Sequence, residues 1–168
     1  MPEIRLERKI SIPEDPAAEA LGVLLRAIAQ QEGPWRGFAL HVSLGDLRLP
    51  DVGYVAIPIR LTVEKDSQRA RAFALSFTSA ALPSAFPGFQ GRMSVDPDSL
   101  GTSRLSLEGR YELPMQLFGR LFDAALTPGI AKRSLENFLD EIGSACEARV
   151  NQREAEFARY RFYAHNFR

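Results

Sequence analysis

Few residues in this 168-residue sequence combine a type and a spacing that catalysis requires. His41 falls at a polar position of an alternating segment and His165 falls near the end of the sequence, so both are expected to be surface histidines. No His-x-x-x-His or Cys-x-x-Cys motif, and no acidic cluster, has the spacing of metal ligands. Cys146 lies among apolar residues and is expected to be buried. We therefore assign no catalytic residue, no metal and no cofactor.

Three residues with polar groups fall at positions where an alternating strand pattern predicts an inward-facing side chain: Arg8, Arg71 and Tyr111. A buried guanidinium requires an anionic partner, which could be the head group of a bound ligand. Alternatively, the two arginines lie near strand ends and reach water or pair with a carboxylate of the protein. For Tyr111, a core ring whose hydroxyl bonds to backbone is expected rather than a general acid.

The bulk composition excludes several classes of partner. Basic and acidic residues number 21 each, so no net charge directs the protein to nucleic acid. The single cysteine cannot form an internal disulfide, and no apolar run of 18 residues occurs, so we expect a cytoplasmic protein without an integral membrane segment. Residues 157–168 interleave aromatic residues with arginine, a pattern that nucleic acids or membrane interfaces also select. We favour a tail that folds back on the domain or packs against a second subunit, which makes a homodimer an option.

The elements that position these residues follow from periodicity. Alternating apolar residues predict strands near residues 4–12, 38–44, 54–65, 69–78, 89–95 and 105–112, and Asp96-Pro97-Asp98 predicts a turn. Asp15 is the expected N-cap of a helix that runs to about Gln31. An interrupted helical segment is expected from Pro114 to about Tyr160. Its second part carries an apolar stripe at helical spacing, formed by Leu135, Phe138, Leu139, Ile142, Cys146 and Val150.

The order of these elements predicts one α+β domain over residues 1–168, in which a curved antiparallel sheet of about six or seven strands wraps around a long C-terminal helix. The last strand and its continuation, Leu-Glu-Gly-Arg-Tyr-Glu-Leu-Pro (107–114) followed by Leu-Phe-Gly-Arg-Leu-Phe-Asp (117–123), resemble the helix-grip SRPBCC superfamily. That superfamily includes START domains, polyketide cyclases and birch-pollen-allergen-like proteins. The resemblance implies a hydrophobic cavity between sheet and helix.

We accordingly expect a small hydrophobic or amphipathic molecule to bind in this cavity. Two alternatives stay open: a cyclase or aromatase-like enzyme that uses the same cavity, and a protein-interaction module whose core is filled. Whether the protein is an enzyme is left open. The inward strand positions and the helix stripe predict the lining, with Phe118 and Phe122 at one end and the two arginines as head-group partners. The predicted site residues are Leu75, Phe77, Met93, Leu107, Tyr111, Phe118, Phe122, Phe138, Ile142, Arg8 and Arg71.

Overall fold

The computed structural model describes residues 3–30, 39–43, 54–79, 88–112 and 127–166. Within these ranges one strand and one helix are followed by five consecutive strands and a second helix, which is an α+β order. The elements are β1 (Glu3–Ile10), α1 (Glu14–Gln30), β2 (Ala39–Ser43), β3 (Tyr54–Lys65), β4 (Ala72–Ser79), β5 (Gly88–Ser99), β6 (Thr102–Glu112) and α2 (Thr127–Asn166).

The sheet is an open antiparallel meander with β1 added beside β6, in the order β1-β6-β5-β4-β3-β2. Among the described strands, five form one continuous ladder from β1 to β3. β2 pairs only with the first part of β3, up to Pro58, whereas β4 pairs with β3 from Ile59 onward. The expected count of six or seven strands is therefore too high for the main sheet, to which β2 adds a short edge strand. Proline has no amide hydrogen to donate, and Pro58 lies where β3 changes its partner.

The hairpin between β5 and β6 lies further along the chain than the sequence predicts. The expected turn at Asp96-Pro97-Asp98 is wrong, because β5 continues to Ser99 and Pro97 still pairs with Ser103. The register shifts between Pro97 and Ser99, which accommodates the proline as an irregularity within the ladder. Gly101 turns the chain with φ 76°, a backbone conformation that other residues rarely adopt.

Helix α1 begins one residue before the predicted N-cap. The amide of Ala17 donates to the carbonyl oxygen of Pro13, so Glu14 and Asp15 both lie in the first helical turn. The carboxylate of Asp15 instead accepts two hydrogen bonds from Arg71, at 2.7 and 2.9 Å. The prediction of Asp15 as the cap is wrong, because the helix already begins at Glu14 and Asp15 lies within its first turn.

Helix α2 covers the inner face of the sheet. It contacts the edge strands β1 and β2, and it also contacts β6 and α1. The predicted apolar stripe of α2 is confirmed, since its six residues are all buried: Leu135, Phe138, Leu139, Ile142, Cys146 and Val150. Residues 114–126, the first part of the predicted helical segment, lie outside the described ranges. In the described parts of the chain, neither helix has an apolar stretch long enough to cross a bilayer.

Candidate functional site

Most of the predicted lining residues meet in the layer between the sheet and α2. Two of the nine, Phe118 and Phe122, lie outside the described residues. The other seven are buried in one hydrophobic core; they are Leu75, Phe77, Met93, Leu107, Tyr111, Phe138 and Ile142. The strand members share the inward phase of the pleat, and Phe138 and Ile142 are one helical turn apart on α2.

Helix α1 closes one end of this layer. Gly22, in the middle of α1, receives the ring of Phe73 from the start of β4, and a Cβ atom on Gly22 would lie 2.8 Å from that ring. The hydroxyl of Ser103 donates to the carbonyl oxygen of Ile12 at 2.8 Å and fixes the approach to α1 against β6. Glycine at position 22 thus allows the helix to pack directly on the sheet.

An aromatic cluster formed by Phe77, Phe89 and Phe138 lies further along the same layer, away from α1. The rings of Phe77 and Phe89 stack with centroids 5.1 Å apart, and Phe138 of α2 meets Phe77 at 5.9 Å with a tilt of 49°. Aromatic pairs at such separations gain contact energy beyond simple burial. The cluster therefore joins two central strands to α2.

Phe89 is a functional candidate that the predicted site omitted. Its ring lies over two facing glycines, Gly91 on β5 and Gly109 on β6, and a Cβ atom on either glycine would come within 2.6 Å of the ring. The signal was present in the sequence, because both glycines fall in the inward phase of adjacent strands and leave space for a large neighbour.

Two polar side chains interrupt the apolar lining near the aromatic cluster. Tyr111 pairs with Phe89 across the strands and is buried, and no hydrogen bond joins its hydroxyl to another described residue. Ser134 lies one turn before Phe138 on α2 and is also buried. A hydroxyl in such surroundings is a suitable partner for a polar group of a ligand.

Arg8 connects β1 to α2 rather than facing the aromatic cluster. Its guanidinium donates to the backbone carbonyl of Asp140 and to Ser144 Oγ at 2.9 Å, and it forms an ion pair with Glu147 at 3.6 Å. Its side chain is 21% exposed and runs directly across Gly143. The charge of Arg8 is thus balanced by a carboxylate of the protein, which is the second of the two possibilities given for this arginine in the sequence analysis.

Arg71 lies at the end of the sheet that α1 covers, where it binds Asp15 and Glu14 in the first turn of that helix. It is therefore separated from the aromatic cluster by the length of β4, and its side chain is 39% exposed. The structure brings seven of the predicted lining residues together, but it places both arginines at the periphery of that layer.

The described residues supply no other group with obvious chemistry. Burial, together with the neighbouring charge of Glu147, raises the pKa of Cys146 to about 12, so this thiol stays protonated and unreactive near neutral pH. No group of three or more metal-ligating side chains occurs within the described ranges. The side chains of His41 and His165 lie outside the described set.

A concave surface with a volume of about 910 Å³ lies on the outer face of the sheet, opposite the buried layer. Charged residues of both signs line it. Its arginines are already paired with carboxylates: Arg5 with Glu108, Arg92 with Asp66 and Arg110 with Glu3. This groove therefore offers a charged ligand no unmatched partner among those residues.

Comparison with solved structures identifies the architecture. The Zhui aromatase/cyclase from Streptomyces sp. R1128 aligns with a TM-score of 0.55 at 15% identity, over 89% of this chain and 95% of that one. Norcoclaurine synthase from Thalictrum flavum aligns with a TM-score of 0.53 at 10% identity, over 91% and 96%. The protein Ara h 8.0201 aligns with a TM-score of 0.51 at 8% identity, over 90% and 98%.

This is the helix-grip fold. The fold predicted from the sequence is thereby confirmed, and identities of 8–15% support no statement about family membership, a shared ligand or a shared reaction. No protein-family model matches the sequence, and no curated protein matches it significantly.

Proposed function

We propose that the protein binds a small hydrophobic or amphipathic molecule between the sheet and α2, at the aromatic cluster. The observation that carries this proposal is the asymmetry of the layer: α1 and Phe73 close one end, whereas Phe77, Phe89 and Phe138 lie toward the other. Aromatic and aliphatic walls with few polar groups are typical of sites for small apolar ligands.

The topology gives the ligand a route to this site. The connections from β2 to β3, from β4 to β5 and from β6 to α2 all join their strands at the end of the sheet opposite α1. Loops at one end of a rigid scaffold are the usual position of a binding entrance. Phe118 and Phe122 belong to the β6–α2 connection, and their predicted role of closing one end of the site stays a prediction.

The polar groups of the lining define the class of ligand more closely. Tyr111 and Ser134 offer neutral hydroxyls, while both arginines are matched by carboxylates. An uncharged or weakly polar molecule with one hydroxyl or carbonyl group fits the described lining better than an anionic lipid does, because a carboxylate or phosphate would find no unpaired cation among the described lining residues.

The filled-core alternative has one observation in its favour, which is the close stacking of Phe77 on Phe89. In that alternative these rings are core, and the protein acts through its surface. The cyclase alternative requires an acid or base beside the ligand, and among the described lining residues only the Tyr111 and Ser134 hydroxyls are near.

A fluorescent naphthalene probe titrated into the protein tests the proposal. We expect saturable binding of one probe per chain, with a dissociation constant in the micromolar range that apolar burial of such a molecule supports. Leu107→Trp fills the layer from β6 and is expected to abolish binding. Glu108→Trp places the same ring on the opposite face of the same strand and should leave binding unchanged.

Circular dichroism establishes that both variants keep the fold. If the probe does not bind to the native protein, or if it binds equally to both tryptophan variants, the proposed site is wrong. Tyr111→Phe refines the assignment, because loss of the hydroxyl should weaken a naphthol at least about fivefold and leave naphthalene unaffected.

A further inference from the structure

The inward-facing residues of β4, β5 and β6 form three rows that run across these strands. The row nearest α1 consists of Phe73, Met93 and Leu107. The row of the aromatic cluster consists of Phe77, Phe89 and Tyr111. The middle row consists of Leu75, Gly91 and Gly109. Because two neighbouring positions of the middle row carry no side chain, the inner face of the sheet has a recess there, which we call the glycine recess.

The ring of Phe89 fills the glycine recess from the row of the aromatic cluster. A Cβ atom on Gly91 or on Gly109 would lie 2.6 Å from Phe89 Cζ, so the tip of the ring stands where those two side chains would begin. Phe89 is almost completely buried there, and Phe77 stacks against it with ring centroids 5.1 Å apart. The recess is therefore occupied by one six-membered ring of the protein itself.

The two glycines are required by the backbone as well as by this ring. A Cβ atom on Gly91 would lie 2.2 Å from the carbonyl oxygen of Glu108, and one on Gly109 would lie 2.4 Å from that of Gln90. A larger residue at either position would force the strands apart, so the recess is a fixed feature of the sheet. The size of the side chain at position 89 then decides how much of the recess is filled.

We propose that Phe89 is a specificity-determining residue of the ligand site, and that its ring limits the length of the ligand on the side that faces α1. This inference rests on the proposed function. A ligand at the aromatic cluster ends against the Phe89 ring. With a smaller residue at position 89, the glycine recess becomes part of the site and accepts one further ring of the ligand. That ring must be apolar, because the hydroxyl of Tyr111 is the only polar side-chain group in the three rows.

Two fluorescent probes that differ by one fused ring, naphthalene and anthracene, test this assignment. Phe89→Ala removes one ring from the recess, and it should tighten the binding of anthracene relative to naphthalene at least about tenfold. Phe89→Leu should change the ratio of the two dissociation constants less, in the same direction, and it serves as the test if Phe89→Ala does not fold.

Phe73→Ala is the matched control, because it removes the same ring from the row beneath α1. The Phe89 ring still separates that row from the aromatic cluster in this variant, so the ratio of the two dissociation constants should stay at its native value. An equal gain for anthracene in Phe73→Ala would overturn the proposal, since the gain would then follow from any loss of core volume.

A ring restored from the neighbouring strand locates the added space. Leu75 pairs with Gly91, whose missing side chain leaves room for a larger partner across the strands. Leu75→Phe in the Phe89→Ala background should refill the recess and return the ratio to within about twofold of the native value. A gain for anthracene that persists in this double variant would place the added space elsewhere and overturn the proposal.

The native protein separates this inference from the proposed function. If native protein does not bind naphthalene, the proposed function itself is wrong. If native protein binds naphthalene but the ratio of dissociation constants is the same in Phe89→Ala and Phe89→Leu, only the role of Phe89 is wrong. Circular dichroism and urea denaturation establish which of the variants keep the fold.

Discussion

Phe138 is the residue that α2 contributes to the aromatic cluster. It is almost completely buried and contacts the ring of Phe77 from the helix side. Phe138→Ala is expected to lower the free energy of unfolding by about 3 kcal/mol, because a ring is lost and the surrounding elements cannot fully collapse into the space. Urea denaturation measures this, with Phe138→Leu as a milder control at about 1 kcal/mol. A loss below roughly 0.5 kcal/mol would contradict the assigned helix face.

At the residue scale, the sequence predicts which side chains face inward but not which of them meet. The inward phase of β4, β5 and β6 follows from alternation, and every described residue in the predicted lining is buried. The pairing of Arg71 with Asp15 does not follow from alternation, because it joins residues that are 56 positions apart through the docking of α1. The contact forms only when α1 packs on the sheet, so it cannot be predicted from a sequence pattern.

At the element scale, Arg8 and Gly143 set the distance between β1 and α2. A Cβ atom at position 143 would lie 2.8 Å from Arg8 Cδ, so the helix needs glycine there only while the arginine lies across it. Gly143→Ala should therefore give no gain in stability in the native background. In an Arg8→Ala background the same change should stabilise the protein by about 1 kcal/mol, the usual helix preference for alanine over glycine.

A double-mutant cycle from urea denaturation measures this coupling. Equal effects of Gly143→Ala in the two backgrounds would show that Arg8 and Gly143 act independently.

The β5–β6 hairpin is held to β1 by a charge network around Asp98. Hydrogen bonds from Lys9 and Arg104 lower the pKa of Asp98 from 3.8 to about 2. Because the folded-state pKa lies below its ordinary value, the network stabilises the hairpin above about pH 4, and this contribution is lost as the pH falls toward 2.

Carbon-13 NMR of the carboxyl group should give a midpoint near 2 for Asp98. Asp98→Asn should lower the urea midpoint at pH 6 and have a much smaller effect at pH 2, where the carboxyl group is half protonated. A midpoint near 4 would show that the contacts with Lys9 and Arg104 do not persist in solution.

The same hairpin shows where element prediction from the sequence fails. Asp-Pro-Asp is a strong turn signal, yet β5 continues through it because pairing of Pro97 with Ser103 is retained across an irregular register. Pairing with the long strand β6 outweighs the local preference of this segment for a turn. In contrast, the strand from Tyr54 to Lys65 and the buried stripe of α2 were predictable, because long periodic segments determine their own faces.

At the scale of the whole molecule, the order of elements was sufficient to predict a sheet packed on a C-terminal helix, and solved structures confirm that fold. The ligand is not predictable in this way, because apolar side chains line a cavity and fill a core with the same alternation. In the described residues one end of the layer is closed by α1 and the aromatic cluster lies toward the other end, and the proposed function depends on the second.

Native mass spectrometry of freshly purified protein tests the central claim, that the aromatic end holds a small molecule, most directly. We expect a mass above the 18.7 kDa chain by one small molecule per chain, which is removed when the protein is denatured. After refolding, added naphthalene probe should occupy the same site at one per chain. A bare chain mass both before and after addition of the probe would contradict the account and leave the layer between sheet and helix a filled core.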